Sequence, residues 1–341
     1  MSRIICGSKG CVAVLKAVSL FSGGLDSQLA VCLIKDQGIE VVAVNFVTPF
    51  FGADPRFRIA AQQLGIEYQE INIAKTYMEV LKHPAYGYGK NFNPCIDCHA
   101  FMLKNAGHYM EEIGAKFLFT GEVLGERPMS QNKSSLQAVE KSSGYKGLVL
   151  RPLSAKLLAP TIPETEGWVD RTLLLDISGR GRSRQMQLAE HYGLKEYPTP
   201  AGGCLLTQEN YSKRLRRLLA IKPEAGAEEM DILKLGRHFY LEDGLLLVVG
   251  RNQAENEALQ ILAWAGDYLL KVVERPGPLG LVRPLQDQNG VDLQLAAGIV
   301  ARYSDARELA QTEIVVNRLG TSQGTLITVR PLQPAEIPSP V

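Results

Sequence analysis

Hydrophobic and polar positions alternate in two rhythms along the chain, and the change between them falls near residue 225. From Lys16, KAVSLF is a short apolar run, SGGLDS is a glycine turn, and QLAVCLIKDQG is an amphipathic helix closed by Gly38. The β-branched run IEVVAVNF (39–46) has the composition of a strand buried on both faces. Residues 56–64 follow a helical pattern, and IEYQEINI (66–73) and AKFLFTGE (115–122) read as a third and a fourth strand. Strands separated by helices predict an α/β fold with a doubly wound, mainly parallel sheet. The stretch 146–164 holds a strand-like piece followed by Pro152, Pro160 and Pro163, which marks the end of the sheet and a connection. A short element (172–179), a helix (182–194), a Pro/Gly loop (197–204) and a basic helix (211–223) stopped by Pro223 complete this part.

Beyond residue 225 the pattern becomes β-rich. RHFYLEDGLLLVVGRN (237–252) reads as a hairpin turning at Asp243-Gly244, 269–285 and 312–332 carry further strands, and helices are expected over 253–265 and 293–303. The predicted organisation is a catalytic α/β domain over 1–200, a cysteine loop and basic helix over 201–224, and a smaller β-rich α+β domain over 225–341. No apolar run approaches the roughly 18 residues that span a bilayer. Lys9 and Lys16 interrupt the N-terminal segment and no small-residue cleavage site follows, so a cytoplasmic protein without a signal peptide or membrane association is expected.

Charge is divided unevenly. Residues 1–222 carry 27 Lys and Arg against 20 Asp and Glu, while residues 223–341 carry 10 against 16. An anionic partner is therefore expected to meet the first two thirds of the chain. Lys213, Arg214, Arg216, Arg217 and Lys222 crowd one predicted helix, and Arg180, Arg182 and Arg184 form a second cluster in SGRGRSR. Both flank Cys204 in sequence, which favours RNA contact over simple surface solvation.

The strongest motif is SGGLDS. Gly23 and Gly24 let the backbone curl so that its amides and the Ser22 and Ser27 hydroxyls face an anion at a helix N-terminus. Asp26 suits that position if Mg²⁺ accompanies the phosphates. An ordinary capped turn accounts for one of these residues and not for all six, and no GxxxxGK[ST] loop is present. SGGxDS resembles the loop of the PP-loop ATP pyrophosphatases, which cleave ATP between the α- and β-phosphates and transfer AMP to an oxygen. That resemblance implies ATP on Ser22 to Ser27, with Asn45 and Phe46 at the end of the second strand beside the adenine.

Six cysteines in a chain of this length do not make a disulfide scaffold. Cys32 lies on the apolar face of the first helix and reads as packing, and Cys6 and Cys11 sit in a terminal segment. Cys95 and Cys98 of NPCIDC and Cys204 of AGGC are a set of three soft ligands suited to zinc or an iron–sulfur cluster with one open position. His99 or His108 offers a fourth ligand for a closed zinc site. A zinc deaminase is excluded, because no H-x-E precedes the P-C-x-x-C element.

With the phosphate loop, NPCIDCH and a distant Gly-Cys resemble the tRNA-uridine thiolase branch of the PP-loop family. One branch of those enzymes uses two cysteines and a persulfide, matching Cys98 and Cys204, with Cys95 in place of an acidic residue. The other holds a [4Fe-4S] cluster on three cysteines, and the complete trio Cys95, Cys98 and Cys204 favours it. TGEVLGE (120–126) is similar to a stretch of the 4-thiouridine branch, with Glu126 where that branch has Gln; Gly121 would approach the nucleotide and Glu122 would bind metal or ribose. The segment around VGRN (249–252) resembles the RNA-binding domain of NFACT-type proteins, although the net acidity of that region argues against a simple phosphate grip. The resemblance implies a tRNA substrate and a sulfur donor, either a protein or inorganic sulfide, supplied from elsewhere, since no rhodanese domain is recognisable. A PP-loop enzyme acting on a small molecule with structural zinc, and a non-catalytic ATP-responsive RNA-binding factor, are the competing readings.

Overall fold

A computed structural model describes residues 14–52, 54–198, 203–241, 244–286, 291–321 and 324–341. Cys6, Cys11, Asp243 of the expected hairpin turn and 199–202 of the loop before Cys204 lie outside the described residues. The chain forms two compact units, Met1–Leu205 and Leu206–Val341, so the basic helix falls in the second and Cys204 in the first.

The first unit runs β1 (Lys16–Leu20), α1 (Leu25–Lys35), β2 (Glu40–Val47), α2 (Pro55–Gln63), β3 (Glu67–Asn72), α3 (Ala74–Lys82), α4 (Cys95–Glu112), β4 (Phe117–Thr120), α5 (Lys133–Ser143) and β5 (Val149–Leu150). The short α6 (Ile162–Thr165) and α7 (Ser183–His191) follow. The strands pair in the order β3-β2-β1-β4-β5, all parallel. Strand alternation sends Ala17 and Val18 to opposite faces. Ala17 joins Val31, Ile34 and Phe119 in one core, while Val18 joins Val44, Leu103 and Leu118 in another. The edge strand β3 is polar and mostly exposed, which discourages further pairing.

Strand order reverses between β1 and β4, and at such a reversal the loops leaving the two carboxyl ends diverge to open a crevice. The loop 22–27 leaves β1 there. Gly121 leaves β4 beside it, so close that a β-carbon on Gly121 would stand 2.5 Å from the Ser27 amide nitrogen and 2.6 Å from the Asp26 carbonyl carbon. Gly23 adopts the left-handed φ of +63°, which a side chain would resist, and its missing β-carbon leaves room for the Phe57 ring.

The second unit contains α8 (Glu209–Ile221), β6 (Arg237–Leu241), β7 (Leu245–Val249), α9 (Gln253–Ile261), β8 (Tyr268–Val272), β9 (Gly280–Pro284), α10 (Gln294–Arg302), β10 (Thr312–Arg318) and β11 (Gly324–Val329). Its six strands are antiparallel in the order β11-β10-β8-β9-β7-β6. The residues Leu247, Leu270, Val282 and Ile314 form one core with Ile299 and Val300 of α10. Both helices of the β-rich part are shorter than the sequence pattern suggests: α9 stops at Ile261, before Trp264 comes to lie 3.8 Å over the buried Arg283 guanidinium. Among the described residues no helix is long and apolar enough to cross a membrane.

The approach at Gly121 yields a direct expectation. Gly121→Ala pushes a methyl into the backbone of the phosphate loop, an overpacking that costs about 1–3 kcal/mol. Chemical denaturation will read that loss, and isothermal titration will show weakened nucleotide binding in the same variant.

Candidate active site

A cavity of about 590 Å³ opens at the crevice. Ser22, Gly24, Asp26 and Ser27 line it from the loop, Asn45 and Phe46 from β2, and Gly121 and Glu122 from the end of β4. The loop is held in shape from within. The Ser27 hydroxyl donates to the Gly24 carbonyl at 2.8 Å, and the Gln28 amide donates to the Gly23 carbonyl at 2.8 Å. Gly24 caps α1 without a side-chain hydrogen bond, so the amides of that helix end are left to an anion. Asn45 is buried and donates to the Gly52 carbonyl at 2.8 Å, fixing the turn that brings Phe51 to the cavity wall. A β-carbon on Gly52 would strike the Phe46 carbonyl oxygen.

Burial pushes the Asp26 carboxyl up, against the pull of the Arg182 guanidinium 3.6 Å away. Arg182, expected in an RNA-facing cluster, therefore lies in the cavity wall beside the phosphate loop. Its expected partners in that cluster are on the surface: Arg180 is exposed, and Arg184 pairs with Asp176 at 2.7 Å. Glu126 also lines the cavity, and burial together with the nearby Asp26 charge raises its carboxyl.

Both oxygens of Glu122 are engaged. Oε1 meets His99 Nδ1 at 2.8 Å, and Oε2 accepts from Arg151 Nε at 3.0 Å and from the Thr120 hydroxyl at 3.1 Å. Burial alone would lift this carboxyl, but the Arg151 guanidinium and the His99 ring more than offset that and hold it at about 2. Arg151 is also bonded to Glu140, so the group is a buried network in which charge is compensated on several sides. Glu122 thus orients His99, itself a cavity-lining residue, while lining the same cavity.

The three cysteines come together. Cys95 is the first residue of α4 and Cys98 lies one turn on, so their side chains share a face of the helix. The Asp97 carboxylate accepts from the Ala85 and Tyr86 amides at 2.9 and 3.0 Å and folds the 83–94 loop back on this helix start. Cys204 arrives from the other end of the unit: the Leu205 amide donates to the Phe50 carbonyl at 3.0 Å, and the Phe50 ring packs on Tyr77 of α3, with centroids 5.9 Å apart. Its neighbour Gly203 lines the nucleotide cavity.

Cys98 is sealed, and burial pushes its thiol far above the ordinary range; contact with Tyr77 opposes this, and the neighbouring Cys204 and Cys95 sulfurs add to it. Cys95 and Cys204 are half-buried. Asn93 donates to the Cys95 sulfur at 3.1 Å. Tyr77 interacts with all three sulfurs, yet its hydroxyl has no partner in hydrogen-bonding geometry among the described residues. The trio is gathered without closing on one ion: among the described residues no three His, Cys, Asp or Glu side chains are arranged to hold a metal ion. Among the described residues neither His99, whose Nδ1 meets Glu122, nor His108, which packs edge-on to Tyr145, joins the cysteines in a group arranged to hold a metal ion. Cys32 is buried in α1, as its apolar neighbours suggest.

The cations of α8 are largely committed. Arg214 donates to the carbonyls of Leu233, Gly236 and Val341 at 2.9–3.1 Å and serves the fold of the second unit, which corrects its assignment to a phosphate-facing row. Lys213 pairs with Glu209 at 2.8 Å and Lys222 with Glu229 at 3.0 Å, while Arg216 and Arg217 are exposed.

A phosphate loop at the reversal point of a parallel sheet defines the first unit as a PP-loop nucleotide-binding domain. Residues 13–156 match the family described as thiamine biosynthesis protein (ThiI), and residues 236–339 match the NFACT protein RNA binding domain. The chain thus joins a region similar to the ThiI family to one similar to the NFACT-type RNA-binding domain. It is 28% identical over 213 residues to the tRNA-specific 2-thiouridylase MnmA of Chlorobium chlorochromatii, covering 57% of this chain and 55% of that protein. It is 29% identical over 142 residues to a probable tRNA sulfurtransferase of Thermococcus kodakarensis, covering 40% of this chain and 36% of that one. A solved 4-thiouridine synthetase–RNA complex with bound ATP is a distant likeness, with a TM-score of 0.37, 21% identity, and coverage of 64% of this chain and 52% of that one. The chain spans about half the length of the curated relatives it matches.

The Glu122 network predicts an acid sensitivity. Because the folded carboxyl sits near 2 against an ordinary value of 4.5, its stabilisation is complete above about pH 4.5 and is lost as pH falls toward 2. Denaturation midpoints measured across that range will fall more steeply in the natural protein than in Glu122→Gln. At neutral pH the same variant is less stable by about 3–5 kcal/mol, because Arg151 loses a buried partner.

Proposed function

We propose that the chain is an ATP-dependent tRNA sulfurtransferase that replaces a uridine carbonyl oxygen with sulfur. The observation that carries this reading is the gathering of Cys95, Cys98 and Cys204 beside a phosphate-loop cavity, with Cys204 adjoining the cavity-lining Gly203. An adenylating loop next to thiols is the arrangement needed to activate an oxygen and then displace it with sulfur. The names of the relatives, a 2-thiouridylase and a tRNA sulfurtransferase, point to the same chemistry.

In this reading ATP lies along Ser22 to Ser27, with its adenine toward Asn45 and Phe46 and Mg²⁺ at Asp26, whose buried Oδ1 has no partner among the described residues. Gly121 lets the β4 end lie against the loop, and Glu122 holds His99 at the cavity wall. The uracil oxygen attacks the α-phosphorus, pyrophosphate departs, and the adenylated carbon becomes electrophilic. A sulfide from an outside donor, held at the thiol trio, would attack that carbon, and AMP leaves with the former carbonyl oxygen.

A sealed, protonated Cys98 is a poor free nucleophile. Coordination deprotonates a thiol outright, so the donor set suits a soft metal centre better than a free persulfide, and Cys95, Cys98 and Cys204 would hold a [4Fe-4S] cluster. Such a cluster, when bound, would present an open iron to carry the sulfide that is transferred. Sulfur is delivered by a donor protein or as inorganic sulfide. For tRNA, Arg180, Arg184, Arg216 and Arg217 remain on the surface, and the net acidic second unit would read RNA by shape more than by phosphate attraction.

Cys95→Ala, Cys98→Ala and Cys204→Ala are each expected to abolish thiolated-nucleoside formation in tRNA while ATP binding survives. Iron and sulfide analysis after anaerobic purification should show a cluster in the natural protein and its loss in each variant. A normal thiolated-nucleoside yield from Cys95→Ala would contradict the three-thiol mechanism.

A further inference from the structure

Buried polar groups in a native protein nearly always have partners, so several orphans at one place mark a missing ligand. The first turn of α7 supplies such a place. Gln185 is completely buried; its amide meets the Asp26 carboxylate only loosely, and neither of its polar atoms has a partner in full hydrogen-bonding geometry among the described residues. Its side chain adjoins Asp26, whose Oδ1 is also buried and unmatched. Arg182, just before α7, reaches Asp26 only at 3.6 Å, and its Nε is likewise buried without a partner. The Arg182 guanidinium and the second carboxylate, Glu126, face the same cavity. Helix α7 lies beyond the 13–156 family match, and its residues have no role in the chemistry described so far.

We propose that Gln185 and Arg182 are positioning residues that complete the triphosphate end of the nucleotide site, a proposal that rests on the ATP reading above. The Gln185 amide, whose nitrogen side meets the Asp26 carboxylate, rotates to give its oxygen to the divalent cation that Asp26 receives; hard cations take carboxylate and amide oxygens together. Arg182 is released from its loose pairing with Asp26 when the cation neutralises that carboxylate, and its guanidinium turns to the β- and γ-phosphates. When the bond between the α-phosphorus and the bridging oxygen breaks, that oxygen keeps the electron pair. The new negative charge forms on the pyrophosphate, where Arg182 meets it.

Isothermal titration of the full chain with MgATP, magnesium pyrophosphate and AMP tests the assignment. Arg182→Gln is expected to weaken MgATP and pyrophosphate binding by about tenfold or more, as for a lost charge-assisted contact, and to change AMP affinity by less than about threefold. Gln185→Leu is expected to abolish the Mg²⁺-dependent gain in ATP affinity while leaving the melting temperature unchanged or raised, because the amide it removes makes only a loose contact with Asp26. Equal losses for AMP and ATP in Arg182→Gln, or no loss for either, would overturn the proposal while leaving the ATP site intact. A lowered melting temperature with Mg²⁺ dependence preserved in Gln185→Leu would assign that residue to the fold instead. A natural protein that binds none of the three probes would remove the nucleotide reading together with this one.

Discussion

Gly121 passes within contact of the peptide that joins Asp26 to Ser27, and the whole first unit is arranged around that approach. It is possible because parallel pairing of β1 with both β2 and β4 places the two strand ends at the same level, and because glycine has no β-carbon to hold them apart. Once the ends are this close, the residues that follow β4 share a crevice with the start of α1. Glu122 reaches back to His99, which follows Cys98 on α4, and so the network that braces the nucleotide cavity is tied to the helix that presents the thiols. A buried ionic cluster of this kind contributes little net stability, but removing one member is costly, which makes it suited to fixing geometry.

Chemistry in this unit is divided between sealed and open groups. Cys98, Tyr77 and Gln185 are buried, the last two with polar atoms poorly satisfied, whereas Cys95, Cys204 and Ser22 face accessible space. Unmatched buried groups are a cost the fold retains only where something else offsets it. Here they cluster at two places: the Asp26–Arg182–Gln185 contact, of which Asp26 and Arg182 line the cavity, and the thiol trio, whose chain neighbours His99 and Gly203 line it.

Much of this was legible in the chain. The strand-and-helix rhythm before residue 150, the antiparallel character after residue 225, and the loop 22–27 all follow from local pattern, because parallel strands are continuously apolar and glycine pairs mark tight turns. Helix α4 is hard to read: its first turn contains Cys, Asp and His, which look like a ligand loop, and its helical register emerges only over 18 residues. Arg182 and Arg214 carry the same letter as surface cations, and only the fold shows that one faces Asp26 and the other satisfies three carbonyls. Tyr77 and Gln185 have no signal at all in the chain. A tyrosine or glutamine on a short amphipathic helix looks like core or surface until its neighbours, distant in sequence, are known.

The convergence of distant thiols can be measured without any assumption about turnover. Treatment of the reduced, metal-free protein with a short bismaleimide, followed by peptide mass spectrometry, should join the peptide containing Cys204 to the one containing Cys95, since both thiols are half-exposed and border Tyr77. Bound MgATP should slow that reaction. Recovery of Cys204 labelled singly, with no link to the Cys95 peptide and no response to nucleotide, would contradict a shared centre beside the cavity.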